Sequence, residues 1–141
     1  MTNERTWKST NLDSVEANAL KYLLKEYNIK FEPSQIDDTM VHIEVFANSE
    51  EIILVNTFID VIDSVVDYLH NSMNDSYQLE LITRLSSHAD DYYLYIVMAK
   101  HKVTNEYAVW TSWNTTTKSL NFGHYNLTRE QADAVVKEFK H

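Results

Sequence analysis

The sequence predicts an α+β fold. A mainly antiparallel sheet, built from a four-stranded C-terminal meander plus one or two N-terminal strands, is packed by about three helices, with the central helix near residues 49–71. Three observations carry this reading. Ile52–Leu69 has helical periodicity, the second half of the chain alternates with period two, and the C-terminus carries a capped amphipathic segment.

The stretch around which the rest is organised is IILVNTFIDVIDSVVDYL, residues 52–69. Asn56, Thr57, Asp60, Asp63, Ser64, Asp67, His70 and Asn71 gather on one side of a helix at about 100° per residue. Apolar residues from Leu54 to Leu69 cover the remainder, an apolar face wide enough for a helix laid on a sheet or between layers. Asn48 or Ser49 can cap free N–H groups, and Glu50 and Glu51 suit the positive end of the helix dipole. Ile53 falls in the middle of the polar face. A rival reading therefore makes Ile52–Val55 a short strand and starts the helix near Thr57, although helix from Ser49 is the preferred one.

The chain of 141 residues is the size of one domain and is 44% hydrophobic, enough for a core. Residues 1–10 are polar apart from Trp7 and read as a flexible arm, with no apolar stretch that would make a signal peptide. Helix 1 is expected from Thr10 or Asn11 to Tyr27, where Leu12, Val15, Ala19, Tyr22 and Leu23 recur at helical spacing and Asn28 suits a left-handed stop. Ile29–Glu32 is short and extended, and Pro33 restricts it to an edge or an irregular strand. Gln35–Thr39 is an acidic loop, and Val41–Phe46 is a strand.

After the turn residues Asn71–Ser76, Tyr77–Leu85 alternates with odd positions apolar. Ser86–Asp91 is a turn. Tyr92–Lys102 is apolar on both faces through Met98, as a central strand requires. Tyr107–Trp113 and Ser119–Tyr125 complete the meander. Thr128 and Gln131 have the spacing of a capping box ahead of a last helix that presents Ala132, Val135, Val136 and Phe139.

Composition narrows the chemistry. Without cysteine there is no disulfide, thiolate metal site or cysteine nucleophile, which suits a reducing cytoplasm. Asp60, Asp63 and Asp67 interrupt the only stretch apolar enough to suggest a membrane helix. The net charge of −9 opposes direct binding to nucleic acid or to anionic membranes. One glycine, Gly123, and one proline, Pro33, leave no phosphate-cradling glycine loop, so turns fall to Asn and Asp.

Clustered oxygens could hold a divalent cation, but a single helix bearing Asp60, Asp63, Asp67 and His70 cannot enclose one, and a solvated acidic face accounts for them. The six histidines show no local zinc spacing, and His88-Ala89-Asp90-Asp91 reads as a polar turn. The sequence thus assigns no catalytic residue, no metal and no cofactor.

The most individual stretch is Tyr107–Tyr125, in which period two puts Trp110 with Ala108 on one face and Trp113 with Tyr107 and Val109 on the other. One tryptophan is expected to be buried and the other accessible, where it could anchor a partner. Cross-strand aromatic packing is the plainer alternative. Gly123 beside His124 and Tyr125 suggests a bulge or a close backbone approach, a small-ligand hint. The candidate binding residues are therefore Trp110, Trp113, His124 and Tyr125. The reading is a non-enzymatic, acidic, cytoplasmic binding, regulatory or inhibitor module acting on an unidentified protein partner, with a homo-oligomer as a further possibility. The alternative is a small-molecule binder or enzyme with a pocket between sheet and helices, which two or more histidines or carboxylates in such a pocket would favour.

Overall fold

The computed structural model describes residues 6–84 and 95–140. The order is β1 (Thr6–Asp13), α1 (Ser14–Glu26), β2 (Lys30–Gln35), β3 (Met40–Ala47), α2 (Ser49–Ser72), β4 (Tyr77–Arg84), β5 (Tyr95–His101), β6 (Tyr107–Asn114), β7 (Ser119–Leu127) and α3 (Arg129–Phe139). The fold is α+β with two antiparallel sheets, ordered β1-β3-β2 and β4-β5-β6-β7. The expected meander is the second sheet. The N-terminal strands form a sheet of their own. The chain groups into two compact units, residues 1–62 and 63–141, with the division falling inside α2.

In the first unit, α1 packs on the three-stranded sheet. Its buried stripe is Ala17, Ala19, Leu20, Leu23 and Leu24. Strand β3 sends Val41, Ile43, Val45 and Ala47 inward in strict alternation. Residues 6–13, where the sequence suggests first an arm and then a helix start, form β1, paired with β3 from Thr6↔Ala47 to Asp13↔Met40. The helix begins later than expected because Asp13 is the cap: its Oδ1 accepts from Glu16 N at 2.8 Å. Pro33 lies in β2, an edge strand, the position in a sheet that tolerates a residue without an N–H. The loop ahead of β3 is tied by Asp37, whose Oδ1 accepts from Thr39 N, Thr39 Oγ1 and Met40 N. Those bonds, to Thr39 above all, hold its carboxyl below the usual carboxylate range.

Helix α2 is continuous from Ser49, which removes the strand alternative for Ile52–Val55. Asn48 and Glu51 cap it reciprocally, Glu51 N donating to Asn48 Oδ1 at 2.8 Å and Asn48 N to Glu51 Oε1 at 3.1 Å. Val55, Phe58, Val61, Ile62, Val65 and Leu69 are buried, and Phe58 meets the Tyr27 ring at 5.3 Å. Ile53 stands 67% exposed among the polar residues, as its helical phase requires. The helix ends at Ser72, and Asn74 and Asp75, both at positive φ, turn the chain beyond it.

In the second unit, β4 departs from the alternation. Its pairing slips between Leu79 and Leu81, and Leu79, Leu81, Ile82 and Thr83 are all buried. A bulge shifts the phase, and a strand buried on both faces no longer needs to alternate. Helix α3 lies on the sheet over Leu81, Ile96, Met98 and Val109, to which it contributes Ala132 and Val136. Thr128 and Gln131 form the expected capping box. Both ends of α3 are fastened: Arg129 Nη1 donates to Glu80 Oε2 at 3.1 Å with its guanidinium over the Tyr107 ring, and Lys140 Nζ donates to Thr83 Oγ1 at 2.7 Å. The Ser86–Asp91 turn, with His88, and the first residues expected for β5 lie outside the described residues.

Candidate functional site

The hairpin β6–β7 closes through Asn114, whose Oδ1 accepts from Thr116 N and Thr117 N, while Lys118 takes the left-handed conformation before β7. Trp110 and Trp113 project from opposite faces as the period of two requires, yet neither is accessible: they are 2% and 1% exposed. The expectation of one exposed tryptophan is thereby overturned. Each face of the hairpin has its own aromatic cover. Tyr68 stands edge-on to Trp113 at 6.0 Å, and Trp110 lies between Tyr77 at 5.5 Å and Tyr125 at 5.7 Å, both edge-on. Trp110 Nε1 donates to Tyr125 Oη at 3.0 Å. Burial of the Tyr77 phenol, then the neighbouring Tyr125 and Glu106, raises its pKa above the ordinary value.

The small-ligand hint at Gly123 has an internal explanation. A Cβ built on Gly123 would lie 2.5 Å from Tyr125 Oη and 2.6 Å from its Cζ. The approach for which glycine makes room is that of the Tyr125 ring. The bulge is present too, since pairing slips between Val109↔His124 and Tyr107↔Leu127, with Asn126 at φ 60° and its Nδ2 donating to Glu106.

What the hairpin exposes is β7. The strand is an edge, and Asn121 through Asn126 are all exposed. Phe122 is 75% exposed and sits at φ 59°, an unusual conformation for an aromatic residue. His124 is exposed beside Phe139 of α3, ring centroids 6.0 Å apart, and Tyr125 is 47% and Phe139 40% exposed. Of the four sequence candidates, His124 and Tyr125 thus lie on the surface, and Trp110 and Trp113 lie beneath it. Sequence reasoning missed Phe122 and Phe139. Phe139 has helical spacing that reads as core, and nothing in the sequence reports a positive φ at Phe122.

The other polar groups have local roles. His70 turns to Asp75 at 3.4 Å rather than toward the aspartates of α2, and Lys102 Nζ donates to Asp75 Oδ1 at 2.8 Å. His101 Nδ1 accepts from Val103 N and Thr104 N, and His42 contacts Asn11 at 2.6 Å. Among the described residues no three of His, Asp and Glu converge as metal ligands, and no helix is long and apolar enough to cross a membrane. A shallow groove of about 350 Å³ runs along the first sheet, lined by Ile29, Lys30, Phe31, Glu32 and Phe46, and holds a single carboxylate.

Fold and site define a small α+β domain whose most individual surface is an aromatic sheet edge. The chain belongs to the family described as Large polyvalent protein associated domain 24, which matches residues 60–131, just over half of its length. That span takes in the second part of α2, the whole meander and the start of α3, and so carries β7. No curated protein and no solved structure matches the chain.

Proposed function

We propose that this domain is a non-enzymatic module acting by protein–protein contact, with β7 and the end of α3 as its contact surface. The observation that carries the reading is that β7 and the end of α3 leave Phe122, His124, Tyr125 and Phe139 exposed, with Tyr125 over the buried Trp110 and His124 beside Phe139. Trp110 and Trp113 act in this reading as supports. The family supports it so far as its description associates the domain with large polyvalent proteins. A reducing cytoplasm suits a chain with no cysteine, and the charge of −9 disfavours nucleic acid as the direct partner.

The test is a photo-crosslinking amino acid placed at Phe122 or, as a control, at Val103, which is 82% exposed on the β5–β6 turn. Protein adducts formed in the native host at position 122 and not at 103 support the reading. Equal labelling at both positions, or labelling at neither, overturns it.

A further inference from the structure

Three turns of this chain are tied in the same way. In each, a side-chain acceptor takes the backbone N–H groups of the residues two and three places further on. Asp37 Oδ1 holds Thr39 N at 2.8 Å and Met40 N at 3.0 Å. Asn114 Oδ1 holds Thr116 N at 2.8 Å and Thr117 N at 3.0 Å. In the β5–β6 turn the acceptor is a histidine: His101 Nδ1 takes Val103 N at 3.1 Å and Thr104 N at 3.2 Å. Such acceptors ordinarily come from Asp, Asn, Ser or Thr.

The three acceptors differ in what a proton does to them. The amide oxygen of Asn114 does not titrate. Asp37 keeps its acceptor well into acid, because the bonds from Thr39 above all hold its carboxyl below the usual range. A histidine nitrogen accepts only while it is bare. Two N–H groups aimed at Nδ1 of His101 place the one hydrogen of the neutral ring on Nε2. A second proton has only Nδ1 to go to, where it meets those two N–H groups as a third donor.

The surroundings confine the effect to the turn. From β4, Tyr77 stands edge-on to the imidazole at 5.0 Å, and its phenol, raised by burial, stays uncharged where histidine titrates. Across the turn, the Glu106 carboxylate accepts from Asn126 Nδ2. Lys100 and Lys102 flank His101 in the chain, and Lys102 Nζ is held by Asp75, which also meets His70 at 3.4 Å. The strand register does not depend on the imidazole, since His101 N donates to Glu106 O at 2.8 Å and Asn105 N to His101 O at 3.0 Å.

We infer that His101 is a proton-operated latch on the β5–β6 turn: neutral, it holds the Val103 and Thr104 amides, and protonated, it releases them while β5 and β6 stay paired. The segment set free carries Val103, which is 82% exposed. Of the three turns built on this plan, it is the one whose order follows pH in the range where histidine changes charge.

The experiment is NMR on the full chain from about pH 8 to about pH 5, the span of that range. Long-range nitrogen correlations should show Nδ1 of His101 bare at the upper end. Solvent exchange of the Val103 and Thr104 amides, corrected for the intrinsic rate, should speed up about fivefold as the ring is protonated, the effect of losing one hydrogen bond. Its midpoint should coincide with that of the His101 ring carbons. His101→Asn is the diagnostic variant, because Oδ1 of asparagine lies as many bonds from the backbone as Nδ1 of histidine and fills this place at Asn114. It should keep the two amides protected throughout, while His101→Ala should leave them unprotected throughout. A hydrogen on Nδ1 at the upper end, protection that does not change with pH, or a midpoint different from that of the ring would overturn the latch. So would a loss on acidification that persists in His101→Asn, which would assign the effect to His70 and Asp75 instead.

Discussion

Tyr125 caps Trp110: its phenol oxygen accepts the indole N–H at 3.0 Å, while its ring stands edge-on to the indole at 5.7 Å. One tyrosine thus closes the polar end of a buried tryptophan and remains half-exposed itself. Removing only the hydroxyl, by Tyr125→Phe, should cost about 1–3 kcal/mol in urea denaturation, because it leaves the buried indole N–H unsatisfied. Tyr125→Ala should in addition shift the tryptophan emission to the red, because Trp110 then meets water. Unchanged emission would show that Tyr77 alone shields it.

Gly123 and Tyr125 compete for one space. Gly123→Ala places a methyl group where the Tyr125 ring lies, and overpacking of this kind costs about 1–3 kcal/mol. The cost should largely vanish in a Tyr125→Ala background. A double-mutant cycle measures the coupling, and additive losses would mean that Gly123 serves another neighbour.

Helix α2 offers a contrast between its faces. Phe58→Ala and Ile62→Ala should each cost about 2–5 kcal/mol through cavity formation, because both side chains are buried. Asp63→Ala on the exposed side should stay within about 0.5 kcal/mol. Chemical denaturation of the three variants checks this, and comparable losses at Ile62 and Asp63 would contradict the observed burial.

Asp75 gives a pH dependence of known sign. The hydrogen bond from Lys102, and then His70, hold its carboxyl below the usual carboxylate range. A depressed pKa stabilises the fold above the unfolded-state value of about 3.9, and that contribution disappears as pH falls through the lower folded-state value. The stability difference between wild type and Asp75→Asn should be level above about pH 5 and shrink toward zero below it. Urea titrations at stepped pH and low salt resolve it. A difference that grows on acidification would reverse the assignment.

Legibility in the sequence followed the kind of interaction. Local patterns were readable: the phase of α2, including the misplaced Ile53, the opposite faces of Trp110 and Trp113, the box at Thr128 and Gln131, and, of the two places Pro33 allowed, the sheet edge. Patterns set by partners distant in sequence were not. β1 exists because β3 pairs with it, and a polar segment such as Thr6–Asp13 shows no period that announces this. The bulge after Leu79 erased the alternation of β4. At the candidate site the largest side chains drew attention, and they proved to be the buried ones, because Tyr68 and Tyr77 from elsewhere in the chain, with Tyr125 of the hairpin itself, pack against them. The exposure of Phe122 goes with a backbone torsion that residue identity does not encode.

An uncharged aromatic edge strand is ordinarily a template on which further chains stack into fibrils. β7 is not a straight template. Phe122 and Asn126 turn the backbone left-handed at two points four residues apart, and the pairing slips beside the second. No uninterrupted row of outward N–H and C=O groups is left for an incoming strand to match. The torsion that presents Phe122 therefore also protects the chain from self-templated growth. β-branched residues at positions 122 and 126, which disfavour the left-handed backbone, would remove this protection from the edge.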